Sequence, residues 1–161
     1  LLTACNKKVK EEAVVDPNAN AGQQTQPADQ GTGISEPGAF TAADLDSNSC
    51  LMQRVIYFDY DQDLLRPEYQ AVVACHTKYL RDRPSARMSL EGNADERGTR
   101  EYNLGLGERR SNAVASAFAG SGADASRVNA VSYGEERPLC LDSDESCWSK
   151  NRRVEIVYSV K

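Results

Sequence analysis

The sequence predicts a two-layer α/β sandwich, in which two main helices lie on one face of a mixed four-stranded sheet. Four short segments carry strand patterns, and two longer segments between them carry helical periodicity. Their order along the chain is βαβαββ, which is typical of a domain whose helices pack on a sheet. The strands are predicted at 54–58, 87–91, 128–133 and 153–158, and the helices at 67–82 and 100–120.

Local signals predict the first strand and the first helix. Residues 54–58 are largely apolar, as in a buried strand. Pro67 suits the first helical position because an N–H group would have no partner there, and Glu68 favours the helix amino terminus. The apolar stripe of this helix comprises Tyr69, Val72, Val73, His76 and Leu80. Because His76 lies on this stripe, we expect a hydrogen-bonded core residue rather than a catalyst or a metal ligand.

The later elements follow the same kind of pattern. After the second strand the chain is predicted to turn through 92–98 and to begin the second helix near Arg100, with Gly120 and Gly122 ending it. The inner face of that helix is predicted to comprise Ala113, Val114, Ala117 and Phe118. In the last strand the residues that alternate toward the core are Val154, Ile156 and Tyr158.

Composition excludes several function classes. A net charge of -5 argues against a nucleic-acid partner, which requires a basic surface. No apolar run is long enough to span a bilayer. Asp59, Asp61 and Asp63 resemble the start of a calcium loop, but Leu64 and Gln70 stand where its glycine and glutamate are needed. We find no set of catalytic residues, so we expect neither an enzyme nor a metal or cofactor.

Four of the five cysteines fall in the half of the chain that is predicted to fold. They are Cys50, Cys75, Cys140 and Cys147, and their spacing matches no zinc site. An even set suits disulfides in an oxidising compartment. Three pairings are possible, but Cys140 and Cys147 bracket a short polar loop, which favours a local bridge and leaves Cys50 with Cys75. The alternative is a buried free thiol at Cys75.

The first 47 residues are predicted to lie outside the folded domain, which we place at 48–161. Residues 1–5, with the sequence LLTAC, resemble the end of a secretory signal with a lipobox, so we expect lipidation at Cys5. Under the sorting rule that this resemblance to lipoproteins implies, the lack of Asp at position 6, which is Asn, favours the outer membrane. Residues 6–47 are rich in Ala, Gln, Gly, Asp and Pro and are predicted to form a disordered tether.

The most informative stretch is residues 91–111, where a strand, a polar loop and a helix start follow one another. Asp95 and Arg97 lie in the loop, while Asn103, Leu106 and Arg110 share one helical face. We expect Asp95 and Arg110 to face each other across a short gap. With backbone N–H groups near Thr99, such a pair suits a ligand that carries an ammonium and a carboxylate on one carbon.

Several motifs in order identify the chain as a member of a known family. They are YFDYD at 57–61, GNADERG at 92–98, YN at 102–103, LGERR at 106–110, SYGEERP at 132–138 and SKNRRV at 149–154. Over residues 55–158 these motifs strongly resemble the OmpA-like peptidoglycan-binding domain, and most of all the lipoproteins of the Tol-Pal system.

The resemblance implies a role for specific residues. Asp95 and Arg110 match the positions that grip the free amino acid end of meso-diaminopimelate in the peptidoglycan stem peptide, and Tyr57, Phe58 and Asp59 match positions that help to shape the pocket wall. It also implies an outer-membrane lipoprotein facing the periplasm. The main alternative is a module that binds a periplasmic protein of the Tol system, such as TolB. A plain ion pair between Asp95 and Arg110 is the simplest structural interpretation.

Overall fold

The computed structural model describes residues 38–161. Cys5 and most of the predicted tether lie outside this range. Residues 40–46, which were predicted to belong to the tether, instead pack on the domain. Ala42–Asp46 forms a 3-10 helix with Leu45 fully buried, and the Phe40 N–H donates to the Asp82 carboxylate at 2.8 Å. The folded domain therefore begins before residue 48.

The predicted order of elements is confirmed. The strands are β1 (Val55–Tyr57), β2 (Arg87–Asn93), β3 (Val128–Gly134) and β4 (Arg153–Val160). The helices are α1 (Gln70–Asp82), α2 (Arg100–Gly120) and a short α3 (Glu145–Asn151), which the sequence analysis did not predict. Pro67–Tyr69 forms a 3-10 turn before α1 rather than its first turn.

The four strands form one mixed sheet in the order β1-β4-β2-β3. β4 is antiparallel to both β1 and β2, while β2 and β3 are parallel. The prediction that a turn begins at Gly92 is wrong, because Gly92 pairs with Ser132 of β3 and Val154 of β4. β2 is therefore two residues longer than predicted, and the loop that follows it begins after Asn93.

Both long helices contribute to one core against the sheet, as predicted. Val72 and Val73 of α1 and Val114 and Phe118 of α2 are buried in one cluster with strand residues. The strand residues of the cluster are Ile56, Met88, Leu90, Val154 and Ile156. The second layer of the sandwich is thus the pair α1 and α2.

His76 is a hydrogen-bonded core residue, as predicted. Its ring is fully buried, with Nδ1 2.8 Å from the Tyr158 hydroxyl and Nε2 3.0 Å from the Gln53 carbonyl oxygen. A carbonyl only accepts, so Nε2 carries the proton and Nδ1 accepts from Tyr158. Burial lowers the pKa of His76 to about 4, so the ring is neutral at pH 7.

The four cysteines of the domain form two disulfides. Cys50 is bonded to Cys75, with the Cα atoms 6.3 Å apart, and this bridge ties the segment before β1 to α1. Cys140 is bonded to Cys147, with the Cα atoms 5.2 Å apart. The second bridge ties α3 to the segment that follows β3.

Candidate functional site

A pocket of about 240 Å³ opens between the segment after β1, the loop after β2 and the first turns of α2. Its lining combines opposite charges with aromatic and apolar groups. The lining residues are Tyr60, Asp61, Asp95, Arg97, Gly98, Tyr102, Leu106 and Arg110. Four predicted residues thus share this pocket, which we call the Asp95 pocket: Asp95, Arg97, Leu106 and Arg110.

Local structure explains how the loop reaches this position. The Ala94 N–H donates to the Gly134 carbonyl at 2.7 Å, so the ends of the parallel strands β2 and β3 are tied together. Gly98 adopts a φ of 122°, a left-handed conformation that favours glycine, and lets the chain turn into α2. Thr99 then caps the helix, because its hydroxyl accepts from the Tyr102 N–H at 3.2 Å.

Asp95 is a buried carboxylate held by two arginines. Its side chain is only 4% exposed. Oδ1 accepts from the backbone N–H and Nε of Arg97, each at 3.1 Å, and Oδ2 accepts from Arg97 Nη2 at 2.6 Å. Arg152 Nη1 approaches Oδ2 at 3.3 Å. Burial alone would raise the pKa of Asp95, but these hydrogen bonds outweigh it and lower the pKa, so the group stays ionised at neutral pH.

Arg97 lies between two aromatic rings. Its guanidinium carbon is 3.9 Å from the centroid of the Tyr60 ring and 4.1 Å from that of Trp148. Its hydrogen bond with Asp95 raises the pKa of Arg97. Nη1 has no hydrogen-bond partner within residues 38–161, while Nε and Nη2 are engaged by Asp95. The arginine is therefore fixed in place and still carries free donors.

Arg110 lines the pocket with Asp95 and is held by the protein backbone. It is fully buried, and its guanidinium donates to three backbone carbonyls: Gln62 (2.8 Å), Asn93 (2.9 Å) and Asp59 (3.1 Å). Within residues 38–161 no ion pair joins it to Asp95, so the simple ion-pair interpretation is wrong for this structure. Burial lowers the pKa of Arg110 to about 10, although the negative charge of Asp95 acts to raise it. The group remains charged at pH 7.

The remaining predicted residues lie around the Asp95 pocket rather than in its lining. Asn103 is buried, and its amide donates to the Glu135 carboxylate. Phe58 packs under Arg110, with the guanidinium carbon 5.3 Å from the ring centroid. Tyr57 and Asp59 line a separate pocket of about 300 Å³, together with Phe58, Arg66, Ser149, Lys150 and Arg152. The Asp59 contribution to the Asp95 pocket is its backbone carbonyl, which orients Arg110.

No metal site accompanies these groups. Within residues 38–161 no cluster of three or more His, Cys, Asp or Glu side chains could hold a metal ion. The three aspartates after β1 diverge: Asp59 lies 3.7 Å from Arg66, Asp61 accepts from Tyr102, and Asp63 pairs with Arg109 at 3.0 Å.

The pocket belongs to a recognisable domain. A model of the OmpA family matches residues 57–152, which include every residue of the pocket lining. The chain belongs to the OmpA family. Two relatives are the peptidoglycan-associated lipoproteins of Haemophilus influenzae and Pseudomonas putida. The first is 43% identical over 121 residues, covering 75% of this chain and 76% of that protein. The second is 42% identical over 146 residues, covering 91% of this chain and 80% of that protein.

Solved structures of OmpA-like domains share this fold. The peptidoglycan-associated lipoprotein of Burkholderia pseudomallei is 43% identical, with a TM-score of 0.69 over 71% of this chain and 97% of that one. The C-terminal domain of Helicobacter pylori MotB is only 19% identical, with a TM-score of 0.60 over 66% of this chain and 83% of that one, and is similar in fold alone. Among residues 38–161 no helix is both long and apolar enough to cross a bilayer.

Within this OmpA-like site, sequence reasoning missed four side chains, besides Gly98. Tyr102 lies four residues before Leu106 on α2, so helical spacing alone could have placed it beside the pocket. Tyr60 and Asp61 directly follow the YFD motif, and their proximity to the predicted wall was an available signal. Trp148 gave none, because its contact with Arg97 depends on the position of α3.

Proposed function

We propose that this chain is an outer-membrane lipoprotein that binds peptidoglycan non-covalently through meso-diaminopimelate of the stem peptide. In this proposal a lipid on Cys5 anchors the chain, and the domain connects the outer membrane to the cell wall as part of the Tol-Pal system. The relatives named peptidoglycan-associated lipoprotein support the peptidoglycan ligand. The chain binds the polymer and does not cleave it.

The observation that carries the proposal is the arrangement of opposite charges in the Asp95 pocket. Asp95 supplies a buried carboxylate for an ammonium group. Arg110 uses three of its five N–H groups on backbone carbonyls, so one N–H on each terminal nitrogen is left for a carboxylate. Arg97 also lines the pocket, and its Nη1 group adds two donors that no described residue engages. The free end of meso-diaminopimelate carries both an ammonium and a carboxylate on one carbon, which matches this set.

The existing ion pairs limit the expected affinity. Because Arg97 and Arg152 already neutralise Asp95, the ligand ammonium must share that carboxylate rather than find it unpaired. Each charge-assisted hydrogen bond contributes about 1.5–3 kcal/mol before desolvation of the partners is subtracted. We therefore expect moderate binding of one stem peptide, strengthened in the cell by the many repeats of the polymer.

Calorimetric titration of the full chain with a muropeptide that carries free meso-diaminopimelate tests the proposal. Asp95→Asn keeps the size of the side chain but removes its charge, so we expect binding to fall by at least tenfold. A muropeptide with lysine in place of diaminopimelate lacks the second carboxylate and should also bind at least tenfold more weakly. Arg109→Ala is the matched control, because Arg109 neighbours Arg110 in sequence but pairs with Asp63 outside the pocket lining. The proposal would be contradicted if the parent and both variants bound the two muropeptides with equal affinity.

A second candidate function is binding of a periplasmic Tol protein such as TolB. Two leucines that flank Cys140 favour it, since Leu139 is 61% exposed and Leu141 is 82% exposed. Two exposed leucines close together in sequence can contribute apolar contacts to a protein partner. Leu139→Ser/Leu141→Ser should weaken binding of such a partner and leave muropeptide binding unchanged. Displacement of the partner by muropeptide would indicate that the two surfaces overlap.

A further inference from the structure

Trp148 is the only tryptophan of the chain, and it contacts the Asp95 pocket from outside. It does not line the pocket, yet the centroid of its ring lies 4.1 Å from the Arg97 guanidinium carbon, and that of the Tyr60 ring lies 3.9 Å from the same atom. An arginine side chain that is 27% exposed would otherwise sample many rotamers. Two aromatic faces and the bidentate contact with Asp95 restrict it to one position.

The position of Trp148 is in turn fixed by α3 and its disulfide. Cys147, the residue before Trp148, is fully buried and bonded to Cys140. The Asp144 carboxylate caps the helix by accepting from the Cys147 N–H at 3.0 Å. The Trp148 indole N–H donates to Glu96 at 3.1 Å, and Glu96 belongs to the same loop as Asp95 and Arg97. A seven-residue helix with few apolar contacts depends on such restraints to stay ordered.

We infer that Trp148 and the Cys140–Cys147 disulfide are positioning elements of the ligand pocket, which act by holding Arg97 against Asp95. This inference rests on the proposed function and adds residues that touch no ligand. Arg97 contacts both oxygens of Asp95 and lines the pocket beside it. If α3 loosens, Arg97 gains rotamers, and the ligand must order both Arg97 and Asp95 when it binds.

We expect a loss of affinity that is caused by the greater freedom of the Arg97 side chain and not by a lower stability of the whole domain. Cys140→Ser/Cys147→Ser should weaken muropeptide binding about tenfold, as expected for the loss of one well-formed stacking contact. Cys50→Ser/Cys75→Ser is the matched control, because it removes the other bridge, between the segment before β1 and α1. That control should lower the melting temperature and leave the affinity within twofold of the parent.

Aromatic substitutions at position 148 test the contact itself. Trp148→Phe retains a ring over Arg97 and should bind within threefold of the parent, whereas Trp148→Leu should bind about tenfold more weakly. All variants are made in the full chain with Cys5→Ser, so that Cys5 cannot exchange with the disulfides. The parent protein in these comparisons carries Cys5→Ser alone.

The decisive measurement is the NMR resonance of the Arg97 Nε–H group, which does not require a ligand. Two flanking rings shift this proton upfield, and its bond to Asp95 slows exchange with water. We expect Trp148→Leu and Cys140→Ser/Cys147→Ser to abolish the shift, while Cys50→Ser/Cys75→Ser preserves it. An unchanged resonance in the first two variants, or muropeptide affinity equal to or tighter than that of the parent, would overturn the inference. Failure of the parent to bind muropeptide would refute the proposed function instead, and the resonance would still test whether Trp148 and the disulfide position Arg97.

Discussion

Gly107 of α2 lies directly against Gly92 of β2. A Cβ atom added at Gly107 would be 2.9 Å from the Gly92 carbonyl oxygen and 2.4 Å from the Ser132 hydroxyl. A Cβ atom at Gly92 would be only 1.9 Å from the Gly107 carbonyl oxygen. This close approach of helix and strand brings Arg110, one turn further along α2, within reach of the Asn93 carbonyl at the end of β2.

Gly107→Ala is therefore expected to destabilise the domain, although alanine is normally the better helix former. The added methyl group must push α2 away from the sheet, so we expect the free energy of unfolding to fall by about 2–3 kcal/mol. Gly105→Ala is the matched control in the same helix, because its Cβ would meet only the flexible end of Arg109 at 3.5 Å. The free energy of unfolding of that variant should rise by about 0.5–1 kcal/mol. Urea unfolding of both variants measures the difference, and equal stabilities would show that the contact can relax.

Arg110 is expected to support the fold as well as the ligand. Arg110→Met removes three hydrogen bonds to backbone carbonyls and leaves those acceptors near the pocket without a protein donor. We expect the free energy of unfolding to fall by about 3 kcal/mol. Arg109→Met, the next residue, loses an ion pair between half-exposed side chains and should change stability by less than about 1 kcal/mol. A small effect for Arg110→Met would mean that water replaces the guanidinium.

This dual role limits what an arginine variant can reveal about binding. Loss of muropeptide affinity in an Arg110 variant combines a missing contact with a shifted loop, because Asp59, Gln62 and Asn93 all lose their donor. Asp95→Asn is the cleaner test, since it keeps the shape of the side chain. Binding measurements on Arg110 variants are therefore interpretable only at temperatures well below their own melting transitions.

Local signals explain the part of the structure that sequence could predict. The end of α2 is predictable because Gly120 and Gly122 are typical of a helix end, and its start near Arg100 follows the polar loop. The shared face of Leu106 and Arg110 followed from helical spacing. The burial of Arg110 could not be predicted, because it depends on how closely Gly107 approaches Gly92 and on where the backbone after β1 turns.

The contact of Arg97 with the rings of Tyr60 and Trp148 could not be predicted from the sequence for a different reason. Tyr60, Arg97 and Trp148 are far apart along the chain and belong to three separate segments. Their contact requires α3, a short segment with no apolar periodicity that its cap at Asp144 and the Cys140–Cys147 bridge hold in place. Only Asp144 offered a local signal for this helix.

The two disulfides are expected to stabilise the fold unequally. In the chain-entropy model the contribution grows with the length of the closed loop. Cys50 and Cys75 are separated by 25 residues, whereas Cys140 and Cys147 are separated by 7. This predicts losses in the free energy of unfolding of about 3.5 kcal/mol for Cys50→Ser/Cys75→Ser and about 2.4 kcal/mol for Cys140→Ser/Cys147→Ser. Urea unfolding of the two double variants measures both, and a larger loss for the short loop would show that packing around α3 outweighs loop entropy.

His76 is expected to make the domain less stable in mild acid. Burial lowers its pKa to about 4, and the neighbouring Arg54 also disfavours a charged ring. The unfolded chain has a pKa of about 6.5 for this group, so between pH 6.5 and pH 4 it binds a proton that the folded chain does not. The stability that the neutral His76 ring contributes is therefore fully present above pH 6.5. It is lost as the pH falls from 6.5 to 4. The expected loss by pH 4 is about 3 kcal/mol.

His76→Gln isolates this effect from the carboxylates, which begin to titrate near the lower end of the same window. A glutamine can still meet the Gln53 carbonyl and the Tyr158 hydroxyl, but it cannot take up a proton. The free energy of unfolding of the parent, followed by urea unfolding at intervals from pH 7.5 to pH 4, should fall by about 3 kcal/mol more than that of the variant. Parallel pH profiles would mean that the buried ring accepts a proton without cost, which its full burial and the neighbouring Arg54 argue against.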